Sequence, residues 1–173
     1  MTKKTRGPKS GLGAKLLGQP YIIVFVENLG LAEEKLAAPC GLYCGACIDY
    51  LIYKSCHGCG CECGKCDASE HHRQCDIYKC CVEQRGLKAC SECEDFPCSL
   101  LTQFCYNPVW LHHLPVIENL RRRRTIGTEK WLKEQEKIWK NEWYLRRWIW
   151  LQKECEGRLK KSSKESKDFC LEK

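Results

Sequence analysis

"CHGCGCECGKC" (residues 56–66) puts five cysteines and three glycines into eleven positions. The stretch has no Leu, Ile, Val or Phe to pack, so it cannot be the middle of a hydrophobic core. Thiols at this density point to one of two architectures, a disulfide framework or a metal-organised module. Disulfides belong to oxidising compartments, and the N-terminus does not look secretory. Lys3, Lys4, Arg6 and Lys9 precede an apolar run of only six residues, Tyr21 to Val26, which Glu27 and Asn28 end. No cleavage-site pattern comes after it. No segment approaches the ~20 apolar residues of a membrane span. The chain therefore reads as cytoplasmic, with no membrane partner, and clustered thiols in a reducing compartment favour metal over disulfides. An odd total of 17 cysteines in 173 residues also fits a fully paired framework poorly.

The flanking cysteines follow the same grammar. Cys40-x3-Cys44-x2-Cys47 comes before the quoted stretch, and Cys75-x4-Cys80-Cys81 and Cys90-x2-Cys93-x4-Cys98 come after it. Two intervening residues let a chain turn sharply enough for both sulfurs to reach one tetrahedral ion, with each Zn–S bond about 2.3 Å long. A single Cys-x2-Cys is weak evidence. Four of them (44/47, 56/59, 63/66 and 90/93) within fifty residues are strong evidence for metal, though not for which metal. We expect Cys40, Cys44 and Cys47 to share one site with a later thiol, and Cys90, Cys93 and Cys98 to share another.

Charge and composition divide the chain. Residues 1–39 carry six Lys/Arg and three Glu, residues 40–105 six basic and nine acidic side chains, and residues 106–173 seventeen basic and ten acidic. Fifteen cysteines lie between Cys40 and Cys105, and all six tryptophans lie beyond Cys105. We expect an N-terminal arm (1–39) with one short strand in "YIIVFV" (21–26), followed by a Cys-rich metal-binding module (40–105) of turns, knuckles and short helices. A Trp-rich basic helical hairpin (106–158) comes next, then a flexible tail (159–173). Pro115 and Thr128 mark the starts of the hairpin arms, and the longer arm has no Pro or Gly before Gly157. Leu132, Trp139, Trp143 and Trp150 follow one helical stripe, and Trp148, Leu151, Cys155 and Leu159 another. The expected fold class is a small, metal-organised, α-rich one.

"APCGLYCGACIDY", "CHGCG", "CDIYKCCVEQRGLKACSECEDFPC" and "IENLRRRRTIGTEKWLKEQEKIW" together resemble the Cys-rich domain-of-unknown-function family 3795 of bacteria and archaea. The resemblance covers about residues 37 to 140. It implies metal binding through Cys40, Cys44, Cys47, Cys56, Cys59, Cys75, Cys80, Cys90, Cys93 and Cys98, and it implies no activity. His72 stands where related sequences often carry a further Cys, and imidazole is a competent zinc ligand. A terminal CxxCG pair found in some members is replaced here by "KNEWYLRRWIWLQKEC".

Ten such thiols and His72 exceed two tetrahedral sites, and Cys61, Cys63 and Cys66 could complete a third. Two or more structural zinc ions are the leading expectation, because they stabilise a small fold with little core. An iron–sulfur cluster is the alternative, since it also takes four thiolates. The ferredoxin run of Cys-x2-Cys-x2-Cys with a nearby Cys-Pro is absent. The triplet in "CGLYCGAC" also resembles that of radical S-adenosylmethionine enzymes. Here Ala46 replaces the usual aromatic residue, and the chain beyond Cys47 lacks the strand–helix repeats of a barrel.

Closed Cys-rich sites are commonly structural, so the function expected is an interaction module with a protein partner. An iron–sulfur electron carrier or redox-enzyme accessory is the second reading. The spare thiols Cys61, Cys63, Cys66 and Cys81 are candidates for extra ligands or reactive groups. Arg121, Arg122, Arg123 and Arg124, with the Trp-rich helices, are candidates for partner or nucleic-acid contact. Ten interspersed acids weaken the nucleic-acid reading. The chain has no Ser-His-Asp order, phosphate-binding glycine loop or paired-carboxylate motif, and no catalytic residue is expected.

Overall fold

The computed structural model describes residues 33–61 and 73–171, with side chains as far as 159. The strand expected at 21–26 and the candidate ligands Cys63, Cys66 and His72 lie outside the described residues. Over residues 33–61 and 73–98 the backbone is a series of short turns. Segments of 3-10 helix at Glu34–Leu36, Cys44–Ala46 and Cys90–Glu92 alternate with a π-helical turn at Asp49–Tyr53. A short helix α1 (Asp76–Tyr78) continues into a second π-helical turn, Lys79–Gln84. Among the described residues, β pairing is limited to an isolated bridge between Ala37 and Tyr43.

The tight turns expected of Cys-x2-Cys are present. The Cys47 N–H donates to the Cys44 carbonyl at 3.0 Å, and the Cys93 N–H to the Cys90 carbonyl at 3.2 Å. Each pair thus closes on itself through an i→i+3 bond.

The remainder is helical: α2 (Ser99–Cys105), α3 (Val116–Ile126), α4 (Thr128–Trp139) and α5 (Glu142–Leu171). The sequence suggested a two-armed hairpin, but the longer arm is broken between Trp139 and Glu142. Asn141 causes the break, because its Oδ1 accepts from the N–H groups of Trp143 and Tyr144 at 3.1 and 3.3 Å. Asparagine is a favoured N-cap, and Glu142 adds a carboxylate in the first turn. Thr128 begins α4 but does not cap it; its Oγ1 instead accepts from Arg123 Nε at 2.9 Å. The stretch from 159 onward, expected as a flexible tail, is helical as far as Leu171.

One core joins the helices to the thiol-bearing loops. Trp131, Leu132, Leu145, Leu120, Val116 and Leu101 are buried together with Ala38, Ala46, Ile48 and Leu51. Trp131 meets Tyr43 edge-on with ring centroids 6.2 Å apart. Gly41 is where the loop comes closest to α3. A Cβ there would lie 2.6 Å from Leu120 Cγ and 2.7 Å from the Val116 carbonyl, and its φ of +95° is open mainly to glycine.

Not every tryptophan belongs to this core. Trp139 and Trp148 pack on each other at 5.1 Å, whereas Trp143 and Trp150 face outward, 61% and 58% exposed. Of the two expected stripes, Trp148 and Cys155 turn inward. The other divides, with Leu132 buried and Trp143 and Trp150 in solvent. Among the described residues, no helix is long and apolar enough to cross a membrane.

Candidate metal centre

Fourteen cysteines are described, and all are free thiols. Twelve of them gather in two places. The first lies on the loop that α3 and α5 hold. Cys44 and Cys59 share a side-chain hydrogen bond, and the Cys59 N–H also donates to Cys44 Sγ at 3.3 Å. Cys40 is within electrostatic reach of Cys44 and Cys75, and Cys59 of Cys40 and Cys56. Cys47 turns away and donates to Asp49 Oδ2 at 3.6 Å. Cys56 Sγ accepts from the Gly58 N–H at 3.3 Å, and Cys61 Sγ lies 3.7 Å from His57 Nδ1.

The second place is a cavity of about 30 Å³ walled by Cys80, Cys81, Cys90, Cys93 and Cys98, with Ile77, Phe96 and Leu101 between them. Cys81 and Cys90 are hydrogen-bonded to each other. The Arg85 guanidinium spans the rim, donating from Nη1 to Cys93 Sγ and from Nη2 to Asp95 Oδ2, both at 2.8 Å. The grouping of Cys90, Cys93 and Cys98 expected from spacing is found here, and Cys80 and Cys81 join it from the π-helical continuation of α1.

Burial sets the electrostatics. Desolvation pushes the Cys40 and Cys47 thiols up to about 12, because a thiolate there leaves water without a cation in return. The hydrogen bond that the Cys59 thiol gives to Cys44, then burial, raises Cys59 well above the ordinary thiol range. In the Cys81–Cys90 pair the shared hydrogen bond draws Cys81 down and pushes Cys90 up.

The donor set is soft and suits zinc or an iron–sulfur cluster. Among the described residues, however, no three His, Cys, Asp or Glu side chains converge to hold an ion as they stand. The thiols line shared space and touch in pairs. Cys105 and Cys155 stand apart in the core, where Cys105 donates to the Leu114 carbonyl at 3.4 Å.

Three side chains that spacing did not single out as supports hold the first thiol loop. On α3, Asn119 Nδ2 donates to the Gly41 carbonyl at 3.0 Å and Arg123 Nη1 to the Ala38 carbonyl at 3.0 Å. On α5, Gln152 accepts from the Ile48 N–H at 3.2 Å and donates to the Ala46 carbonyl at 2.9 Å. No local pattern marks Gln152, which is 104 residues from Ile48.

The arginine run is largely committed to the fold. Arg121 pairs with Glu118, Arg122 with Glu134, and Arg123 is buried. Arg124 is exposed.

No family model, curated protein or solved structure matches this chain.

Proposed function

We propose that residues 40–98 form a metal–thiolate module of two or more structural zinc ions, and that the helical layer presents it to a protein partner. The observation that carries this reading is the cavity walled by Cys80, Cys81, Cys90, Cys93 and Cys98, because two separate stretches of chain bring five thiols to one place. The loop carrying Cys40, Cys44 and Cys47, with Cys56, Cys59 and Cys75 near it, is the second candidate cluster. The resemblance of the Cys motifs to those of family 3795 implies the same chemistry. Bound zinc would cross-link these segments, held by thiols of the cavity wall that would have to close on the ion.

The test is anaerobic purification of the full chain, with elemental analysis and an absorption spectrum of one sample. Stoichiometric zinc with no visible absorbance supports the structural module. Brown protein with matched iron and sulfide replaces it with the electron-transfer reading. Metal-free protein with a complete fold removes both. Nucleic-acid contact is the less favoured reading, because two of the four arginines already pair with glutamates and a third is buried.

A further inference from the structure

Helix α5 has two opposite faces. Leu145, Ile149, Gln152 and Cys155 are buried against the core. On the other side Trp143, Arg147, Trp150, Glu154 and Gly157 fall within about 80° of one another around the axis, at 3.6 residues per turn. Trp143 and Trp150 are 61% and 58% exposed. Arg147 lies over the Trp143 ring at 5.1 Å. Neither Arg147 nor Glu154 has an ion-pair partner among the described residues, and seven positions along one helix place them too far apart to meet each other.

Gly157 is the oddest member of this face. Glycine weakens a helix interior, and a Cβ there would meet no atom within 4 Å. Nothing described in the monomer requires it. The stripe is also self-complementary. Turned end for end about Trp150, the Trp143 indole falls opposite the notch at Gly157, and Arg147 of each copy comes within one residue, about 1.5 Å along the axis, of the level of Glu154 of the other, on the same side of the face. A twofold axis brings like surfaces together in just this way.

We propose that this face of α5 docks antiparallel on the same face of a second copy of the chain. Trp150 meets Trp150 at the axis, two Arg147–Glu154 pairs flank it, and each Trp143 seats over Gly157 of the second copy. The small residue permits the close backbone approach that an indole against a helix needs. This inference does not rest on the metal reading.

The experiment is sedimentation equilibrium of the full chain as purified, over a dilution series, with circular dichroism to verify the fold of each variant. Wild type should show a concentration-dependent dimer. Arg147→Glu and Glu154→Arg each place like charges opposite one another twice, and each should weaken dimerisation by at least about tenfold. The double exchange Arg147→Glu/Glu154→Arg should restore it, as should mixing the two single variants. Gly157→Leu should keep or raise helicity and abolish the dimer. A monomer at every concentration would overturn the proposal, and so would dimerisation indifferent to the charge reversals. Salt-dependent binding of a single-stranded oligo(dT) by monomers through Trp143 and Trp150 would overturn it too, by assigning the face to nucleic acid.

Discussion

Arg123 is 4% exposed and makes no ion pair among the described residues. Its guanidinium donates to the Ala38 carbonyl and to Thr128 Oγ1, and its Cζ lies 5.9 Å from the centroid of the Trp131 ring. Burial pulls its pKa down, while the nearby Glu92, Glu34 and the Cys81 and Cys40 sulfurs pull it up. A run of four arginines reads as a binding patch from sequence, because charge is visible there and burial is not. Arg123→Met should remove the donor from a buried carbonyl and cost about 1–3 kcal/mol of stability, measured by urea unfolding. A variant as stable as wild type would show that water satisfies the carbonyl. His112 makes a second prediction. Its Nδ1 is buried without a hydrogen-bond partner, its ring packs edge-on against Trp110 and Trp148, and desolvation lowers its pKa from 6.5 to about 4. The unfolded chain takes up this proton more readily, so the contribution is complete above pH 6.5 and is lost as pH falls from there towards 4. His112→Phe should therefore flatten the acid limb of the stability–pH curve, read from thermal midpoints. Parallel curves for the two proteins would move the acid sensitivity to another group.

At the level of elements, the helices act as a clasp around the first thiol loop. Asn119 and Arg123 reach it from α3, and Gln152 reaches it from α5. Buried backbone groups with a lost partner are costly, so Gln152→Leu should destabilise by about 2–4 kcal/mol and speed hydrogen exchange at the Ile48 amide. Unchanged exchange at Ile48 would mean that the loop holds itself. The existence of α3 and α4 was legible in "PVIENLRRRR" and "EKWLKEQEKIW", where apolar positions recur at helical spacing. The break at Asn141 was legible in principle too, through an N-cap asparagine followed by Glu142. An unbroken 3.6-residue pattern masks such a cap, since the pattern on both sides continues in phase. The Cys-x2-Cys turns at 44/47 and 90/93 were legible because they close within four residues and need nothing distant.

The loops and helices share one core, so loss of metal should not stay local. Stripping the proposed zinc with a chelator should lower the thermal midpoint and reduce the circular dichroism signal of the helices along with that of the Cys-rich segment. Complete metal removal with an unchanged spectrum and midpoint would sink the metal-coupled fold. What could be read from order along the chain was local: thiol spacing, turns held by glycine, helical periodicity, and the contrast between an acidic Cys-rich centre and a basic Trp-rich end. These depend on interactions between residues a few positions apart, and the chain carries them wherever it folds. Tertiary structure alone decided that Cys80 and Cys81 join Cys90, Cys93 and Cys98 around one cavity, and that Gln152 anchors Ile48. It also decided that Trp131 enters the core while Trp143 and Trp150 stay outside. The physical reason is competition for burial. Periodicity can show that a helix has an apolar stripe, but α5 has two, and only packing against α4 and the thiol loops selects which one leaves water.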